Sequence, residues 1–422
     1  MAFVTDLEHE LGLVQHRVDG LVDRLKLSWD TLTQQLEPEK LQAIVGLLQR
    51  AHDQAQYTIA HGDLPPGQVP VPWELAHGLS FLHLGAAKPL PQTVDELPTR
   101  VLKDGSLLGC RKWELLDPLW SEALISWIEN LHKHATFGAT PALVTIDDEV
   151  LLDLAGDWGT GYFQANSAAQ RVADLIRQEK PDFTVHLGDV YYSGNSTEEG
   201  NDLTDWPLGQ QGTFSLNSNH EMYSGAHAYF SEVGSLFPGQ RGTSYFALVN
   251  SHWLIVGLDS AYYSDPMGLY MDGNLGPEQQ QWLKTLVSTQ GQGKKIMLLS
   301  HHQGLDITGQ NPTPLYQQVY AALGNRAPDY WYWGHLHNGI CYAPKADMNG
   351  MNGRCIGHGA IPYGDASELD GAPGVLWSET QLAGDPNYPL RVRNGYVRVR
   401  LQGDTITEAF VGENGVISWP LA

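Results

Sequence analysis

The stretch LAGDWGTGYF, residues 154–163, decides how the rest of the chain is read. It ends an apolar run with Gly156 and Asp157, then continues through Trp158 and Gly159. A carboxylate placed at the end of a buried strand, between glycines, has two readings. The glycines could cradle a nucleotide phosphate, or the acid could be a metal ligand with partners further along. The nucleotide reading needs G-x-G-x-x-G, whereas the chain supplies G-x-x-G-x-G with an acid beside the first glycine, and no GK[ST] follows. The metal reading has partners to find.

They recur where other apolar runs stop. Asp189 follows FTVHL in GDVYY, and Asn219–His220–Glu221 follows TFSL in SNHE. His301 and His302 follow KKIMLLS, and His335 with His337 follows DYWYW in GHLH. In open α/β sheets the carboxyl ends of strands form the ligand crevice. Carboxylates, an amide oxygen and imidazoles converging there are the donor set of Fe, Zn or Mn. Without cations, two buried aspartates side by side would repel, and one would stay protonated. Any one of these clusters is commonly a turn or loop surface; five in order at strand ends point to a shared site.

Around them the chain alternates strands and helices from about residue 142. Ala169, Val172, Ala173 and Ile176 give a helix over 166–179 its buried face, and SYFALVNSHWLIVGLDS reads as a hairpin turning near Asn250–Ser251. A helix is expected at 276–288, and two strands flank Gly403–Asp404 near the end. Residues 193–218 read as a long polar loop.

The first 140 residues carry no chemical motif and read as a helical N-terminal region. Val4, Leu7, Leu11, Val14, Val18, Leu21 and Leu25 keep an alternating three-four spacing. A second amphipathic segment follows Pro38, with Leu41, Ile44, Val45, Leu48 and Ala51 on one face, so a helical hairpin is expected. It could pack on its own body or serve as a homo-oligomer or partner contact. GDLPPGQVPVP, residues 62–72, reads as a linker. Another helix is expected from the Asp117 cap and Pro118 to about His134, burying Trp120, Leu124, Trp127, Ile128 and Leu131.

The formal charge of -23 makes nonspecific attraction to nucleic acid or an anionic membrane unfavourable, so a phosphate-bearing substrate would need a metal to supply positive charge. Cys110, Cys341 and Cys355 form no CxxC pair; three free thiols are the plain reading, with a Cys341–Cys355 bridge open if the protein is exported. MAFVTDLEHELG does not read as a Sec signal peptide, and no run reaches 18 apolar residues. A cytoplasmic protein without a transmembrane segment is expected, with signal-independent export left open.

The ordered blocks from Asp157 to His337 resemble the calcineurin-like metallophosphoesterase superfamily, and the likeness covers about residues 148–365. A typical D-x-H block would have histidine at position 159, where this chain has Gly159. GDxG there, combined with GDxxY from Asp189 to Tyr192, resembles the purple acid phosphatase subgroup. Ser218 replaces a glycine in the third block, and Gln303 replaces a proline in the fourth.

The resemblance implies an α/β fold, a four-layer α-β-β-α sandwich over 141–422 behind the helical region 1–140. It implies two metal ions. One would take Asp157, Tyr192 and His337, the other Asn219, His301 and His335, with Asp189 bridging. Tyr191 could instead be the inward tyrosine. A phenolate with two carboxylates favours Fe(III) at the first position, with Fe(II), Zn or Mn at the second. His220 would be the outer-sphere acid and His302 a further catalytic pocket residue; Tyr223 and His227 are read as packing. The implied activity is phosphoric ester hydrolysis by metal-activated water, with phosphomonoesters favoured. Phosphodiesters (cyclic nucleotides or lipid head groups) remain open, as does an inactive scaffold docking through the N-terminal helices.

Overall fold

The computed structural model describes residues 34, 37–61, the stretches 64–68, 70–71, 75–76, 100–103, 105, 107–108, 120–131 and 133–136, and residues 140–159 and 166–420 except 349 and 387. The first expected helix, the Asp117 cap, Pro118 and Cys110 lie outside them.

Ahead of the sheets come helix α1 (Pro38–His61), a two-residue pairing of β1 (Arg100–Val101) with β2 (Leu107–Leu108), and helix α2 (Trp120–Asn130). Then follow β3 (Ala142–Thr145), β4 (Glu149–Ala155), α3 (Ala168–Glu179), β5 (Phe183–His186), α4 (Ser196–Asp205) and β6 (Gly212–Ser215). Next are α5 (Asn219–Tyr223), α6 (His227–Leu236), β7 (Phe246–Val249), β8 (Trp253–Leu258), α7 (Pro277–Gln290) and β9 (Lys295–Ser300). The chain continues with α8 (Pro314–Ala322), β10 (Tyr330–Trp333), β11 (Gly339–Tyr342), β12 (Asn352–Ile356) and β13 (Val375–Ser378). It ends on the meander β14 (Gly395–Gln402), β15 (Thr405–Gly412) and β16 (Ile417–Trp419).

Two sheets face each other. One has the order β16-β15-β14-β4-β5-β6, the other β13-β11-β12-β10-β9-β8-β7-β3. Leu152, Leu154, Val185 and Phe214 of the first meet Phe246, Leu248, Ile255 and Leu299 of the second in one buried core. Helices α7 and α8 cover the outer face of the larger sheet through Leu283, Leu286, Leu315 and Val319. Helix α3 covers the smaller sheet with Ala169, Val172, Ala173 and Ile176, the stripe expected from its periodicity. The mixed α/β fold is therefore a sandwich of two sheets between helices, and β4 is buried at every position from Val150 to Ala155, Asp153 included.

Parallel pairing places the site. β4, β5 and β6 run parallel in one sheet, as do β8, β9, β10 and β12 in the other. Their carboxyl ends deliver Asp157, Asp189, Asn219, His301 and His335 to one edge of the sandwich.

Two expectations change. Residues 193–218 are not one loop: Asn195 caps α4 with a capping box, and β6 pairs with β5. On α1, Val45 is 51% exposed while Leu47 is buried, so the buried face is rotated towards Leu47. Cys341 and Cys355 sit on neighbouring strands one residue out of register, Cys341 pairing opposite Arg354. Their side chains therefore point to opposite faces, Cys341 between the sheets and Cys355 under the outer helices, and both are free thiols. The Asn250 hairpin, the α7 helix and the Gly403–Asp404 turn lie where expected. No helix among the described residues is long and apolar enough to cross a membrane.

Candidate metal centre

The site is built on unusual backbone. Asp157, Asp189, His335 and His337 have φ of 56°, 74°, 67° and 41°. That left-handed region costs a non-glycine residue about 1–2 kcal/mol, and such strain concentrates where function holds it in place. Here hydrogen bonds hold it. The Asp157 N–H donates to Gly188 O at 3.0 Å, and the His335 N–H donates to Asp157 Oδ2 at 2.8 Å.

Two donor sets result. In the first, His337 Nε2 lies 3.3 Å from Asp157 Oδ1, and a tyrosine hydroxyl sits 2.7 Å from Asp189 Oδ2 and 2.8 Å from His337 Nε2. In the second, His301 Nε2 lies 2.9 Å from Asn219 Oδ1, 3.2 Å from His335 Nδ1 and 3.2 Å from Asp189 Oδ1. Asp189 thus turns one carboxylate oxygen to each set. The groups Asp157–Asp189–His337 and His301–His302–His335 each bring their ligand atoms within 4.8 Å of one another.

The tyrosine is Tyr191. Its hydroxyl also contacts Asp157 Oδ1 at 3.2 Å. Tyr192, the residue expected there, instead packs edge-on against Trp120, and its backbone oxygen lies 2.7 Å from His220 Nδ1. The structure also explains why position 159 cannot hold histidine: a Cβ on Gly159 would lie 2.1 Å from Asp189 O. The close backbone bridge Gly159–Val190 excludes a side chain there, and the Tyr191 hydroxyl occupies the first donor set.

Tautomers follow from the partners. His301 Nδ1 lies 2.9 Å from Leu187 O, a carbonyl that can only accept, so Nδ1 carries the proton and Nε2 a lone pair. Asn219 Nδ2 donates to Tyr223 Oη at 3.1 Å, which aims Asn219 Oδ1 at that same Nε2. Two acceptors therefore face each other at 2.9 Å, an arrangement a cation resolves. Tyr223, read from sequence as packing, thus orients a donor; aromatic spacing gave no sign of this. His227, by contrast, points its Nε2 at Lys133 O, 3.2 Å away.

His302 is near the second set, but both its nitrogens are engaged. Nε2 donates to Tyr270 O at 2.7 Å, and Nδ1 takes the Ser260 hydroxyl at 2.9 Å. His220 donates Nδ1–H to Tyr192 O, which leaves Nε2 facing Asp189 Oδ2 at 3.9 Å. The Ser218 hydroxyl touches both Asp189 Oδ1 and Glu221 Oε2, so the residue that replaces glycine in SNHE braces the shared carboxylate.

The electrostatics match. Burial, then the neighbouring Asp189, holds the Asp157 carboxyl well above its ordinary range. Burial also raises Asp189, but His301 and His220 outweigh it and hold that group well below. Burial pushes His337 down to about 3 and lowers His301 and His335, the latter also through His302 and His301. Neutral imidazoles, an ionised carboxylate and a second carboxylate that only nearby positive charge would ionise are a site suited to cations.

Paired donor sets at the strand ends of this α/β sandwich are suited to metal ions. Residues 152–339 match the calcineurin-like phosphoesterase family. Over those residues the chain carries a calcineurin-like phosphoesterase domain, and its two groups of metal-ligating side chains support a metal-dependent phosphoesterase. Among solved structures it is similar to a dimetal phosphatase from Danio rerio, at 13% identity over 63% of this chain and 96% of that one, with a TM-score of 0.43. It is also similar to GAP50, the anchor in the inner membrane complex of Plasmodium, at 13% identity over 64% and 87%, with a TM-score of 0.44. No curated protein matches the chain.

Proposed function

We propose that the chain is a binuclear phosphomonoesterase whose first metal is held by Asp157, Tyr191 and His337, whose second is held by Asn219, His301 and His335, and whose bridge is Asp189. The observation that carries this reading is the division of the Asp189 carboxylate, with Oδ2 at 2.7 Å from Tyr191 Oη and Oδ1 at 3.2 Å from His301 Nε2. A phenolate with two carboxylates favours Fe(III) at the first position, and Fe(II), Zn or Mn suits the second.

Bound there, the two ions supply Lewis-acid charge and a nucleophilic water near neutral pH. The chain's residues do the rest. Asp189 fixes the spacing of the pair, and the Ser218 hydroxyl fixes Asp189. His220, anchored through Nδ1–H, directs Nε2 into the site, where that nitrogen would first take up a proton, favoured by the Asp189 charge, and then pass it to the departing ester oxygen. His302, tied at both nitrogens, positions the segment bearing Tyr270. The donors are buried except for His335 and His337, the latter 17% exposed.

Metal analysis and a visible spectrum of purified protein, with chromogenic phosphomonoester and phosphodiester substrates, test the reading. Two metals per chain, iron among them, and a higher kcat/KM for the monoester are expected. A preference for the diester overturns the substrate class, and one metal per chain overturns the binuclear assignment.

A further inference from the structure

Helix α2 lies outside the matched residues 152–339, yet it reaches the metal centre. Its first residue, Trp120, is fully buried. The indole meets the Tyr191 ring edge-on at 6.1 Å and the Tyr192 ring edge-on at 5.1 Å, and tilts against the His220 imidazole at 5.6 Å. One side chain from the N-terminal region thus touches the tyrosine of the first donor set, its neighbour Tyr192, and the proton donor.

The helix is tied down along its length. Ser126 Oγ donates to Tyr223 O at 3.2 Å, at the end of the short helix that begins with Asn219. Trp127 Nε1 donates to Pro266 O at 2.8 Å. Just beyond the helix, His134 Nε2 lies 2.8 Å from Tyr270 Oη, whose backbone oxygen holds His302.

We propose that Trp120 is a positioning residue of the metal centre, so that the N-terminal region is a structural part of the active site and not an appendage to it. The inference rests on the proposed function above. Tyr191 and Tyr192 are adjacent in sequence, and the Trp120 indole packs edge-on against both rings. That wedge keeps the Tyr191 hydroxyl within reach of Asp189 and His337. Held through Nδ1, the His220 ring is also packed among the rings around it: Trp120, Tyr191 at 4.2 Å and Tyr223 at 4.9 Å. Edge and tilted aromatic contacts of this kind restrict orientation as well as burying area. Removing the indole opens a cavity into which Tyr191 or His220 can turn, and a small displacement of a catalytic group is costly in rate.

The test uses the full chain with Trp120→Ala, Trp120→Leu and, as a control from the same helix, Ile128→Ala. Each is compared with wild type for metal content, visible absorption, kcat, KM and thermal midpoint. In Trp120→Ala we expect a kcat at least tenfold lower, KM within about threefold of wild type, and a weakened or shifted tyrosine-to-metal band. Ile128→Ala should lose thermal stability while keeping kcat and the band. Trp120→Leu keeps apolar bulk without the flat edge and carries the test if the alanine variant does not fold. A folded Trp120→Leu or Trp120→Ala with wild-type kcat and band overturns the inference, as does an Ile128→Ala variant that loses both equally. Wild type without metal-dependent turnover would instead refute the proposed function.

Discussion

The Tyr191 hydroxyl lies 2.8 Å from His337 Nε2, although 146 residues separate the two in sequence. The pairing closes the first donor set, and it distinguishes two adjacent tyrosines. Tyr191→Phe should remove the visible tyrosine-to-metal band and lower kcat by at least about 100-fold, the scale of losing a group that stabilises transition-state charge. Tyr192→Phe should leave the band in place, because that residue serves the site through its backbone oxygen. Absorption spectra of the two variants decide; a band lost only in Tyr192→Phe would reverse the assignment.

Restoring a D-x-H block should fail. A Cβ at position 159 would meet Asp189 O at 2.1 Å and Val190 Cα at 2.3 Å, both backbone atoms. Gly159→His should therefore cost at least ~2 kcal/mol in urea unfolding, as overpacking does when nothing flexible can give way. It should add no metal affinity. An active, fully stable Gly159→His protein would show that the β5 turn is free to move.

His220→Asn should separate chemistry from binding. Its Nε2 lies 3.9 Å from Asp189 Oδ2, outside the donor sets. Metal content should stay at the wild-type level while kcat falls by about 10²–10⁴, the contribution of a positioned acid. The loss should shrink for esters with good leaving groups, which need no proton. Loss of metal in this variant would make His220 a ligand.

Tyr223→Phe should weaken the second metal alone. The phenol oxygen takes the Asn219 Nδ2–H at 3.1 Å and so aims Oδ1 at His301. Without it the amide is free to rotate, and affinity should fall about tenfold or more, as when other outer partners of a ligand are removed. Competition with a chelator, followed by metal analysis, reads this directly.

Asp153 should govern part of the pH dependence of stability. Burial raises its pKa to about 8, against lowering by Arg398, and neither carboxylate oxygen has a hydrogen-bond partner. Unfolding restores an ordinary carboxyl, so between about pH 4 and pH 8 the folded state holds a proton that the unfolded state releases. Stability from this group is complete below the lower value and is lost as pH rises through the upper one. Asp153→Asn should match wild type near pH 4, exceed it near pH 8, and flatten the slope between. Parallel slopes in urea unfolding across that range would exclude Asp153 as the source.

Much of this was legible because strands and ligands leave local marks. The α3 stripe, the hairpin at Asn250 and the polar residues ending each apolar run depend on periodicity and turn chemistry within a few residues. The clusters at Asp157, Asp189, Asn219–Glu221, His301–His302 and His335–His337 stood out by their place at strand ends, while the choice of ligands within them came from the resemblance. The tyrosine was harder to place. Tyr191 and Tyr192 occupy successive positions of one turn, and the GDxxY spacing pointed to Tyr192, whereas the hydroxyl at the donor set is that of Tyr191.

The amino-acid sequence by itself determined an alternation of strands and helices, the strand ends at which polar residues gather, and the chemical kind of that gathering. Only tertiary structure decided which atoms meet: Tyr191 against His337, Tyr223 behind Asn219, and Trp120 from outside the matched domain against His220. The reason is physical. Pattern along a chain reports which face of an element is buried, whereas a donor's aim depends on backbone turned to positive φ and on rings packed from more than a hundred residues away.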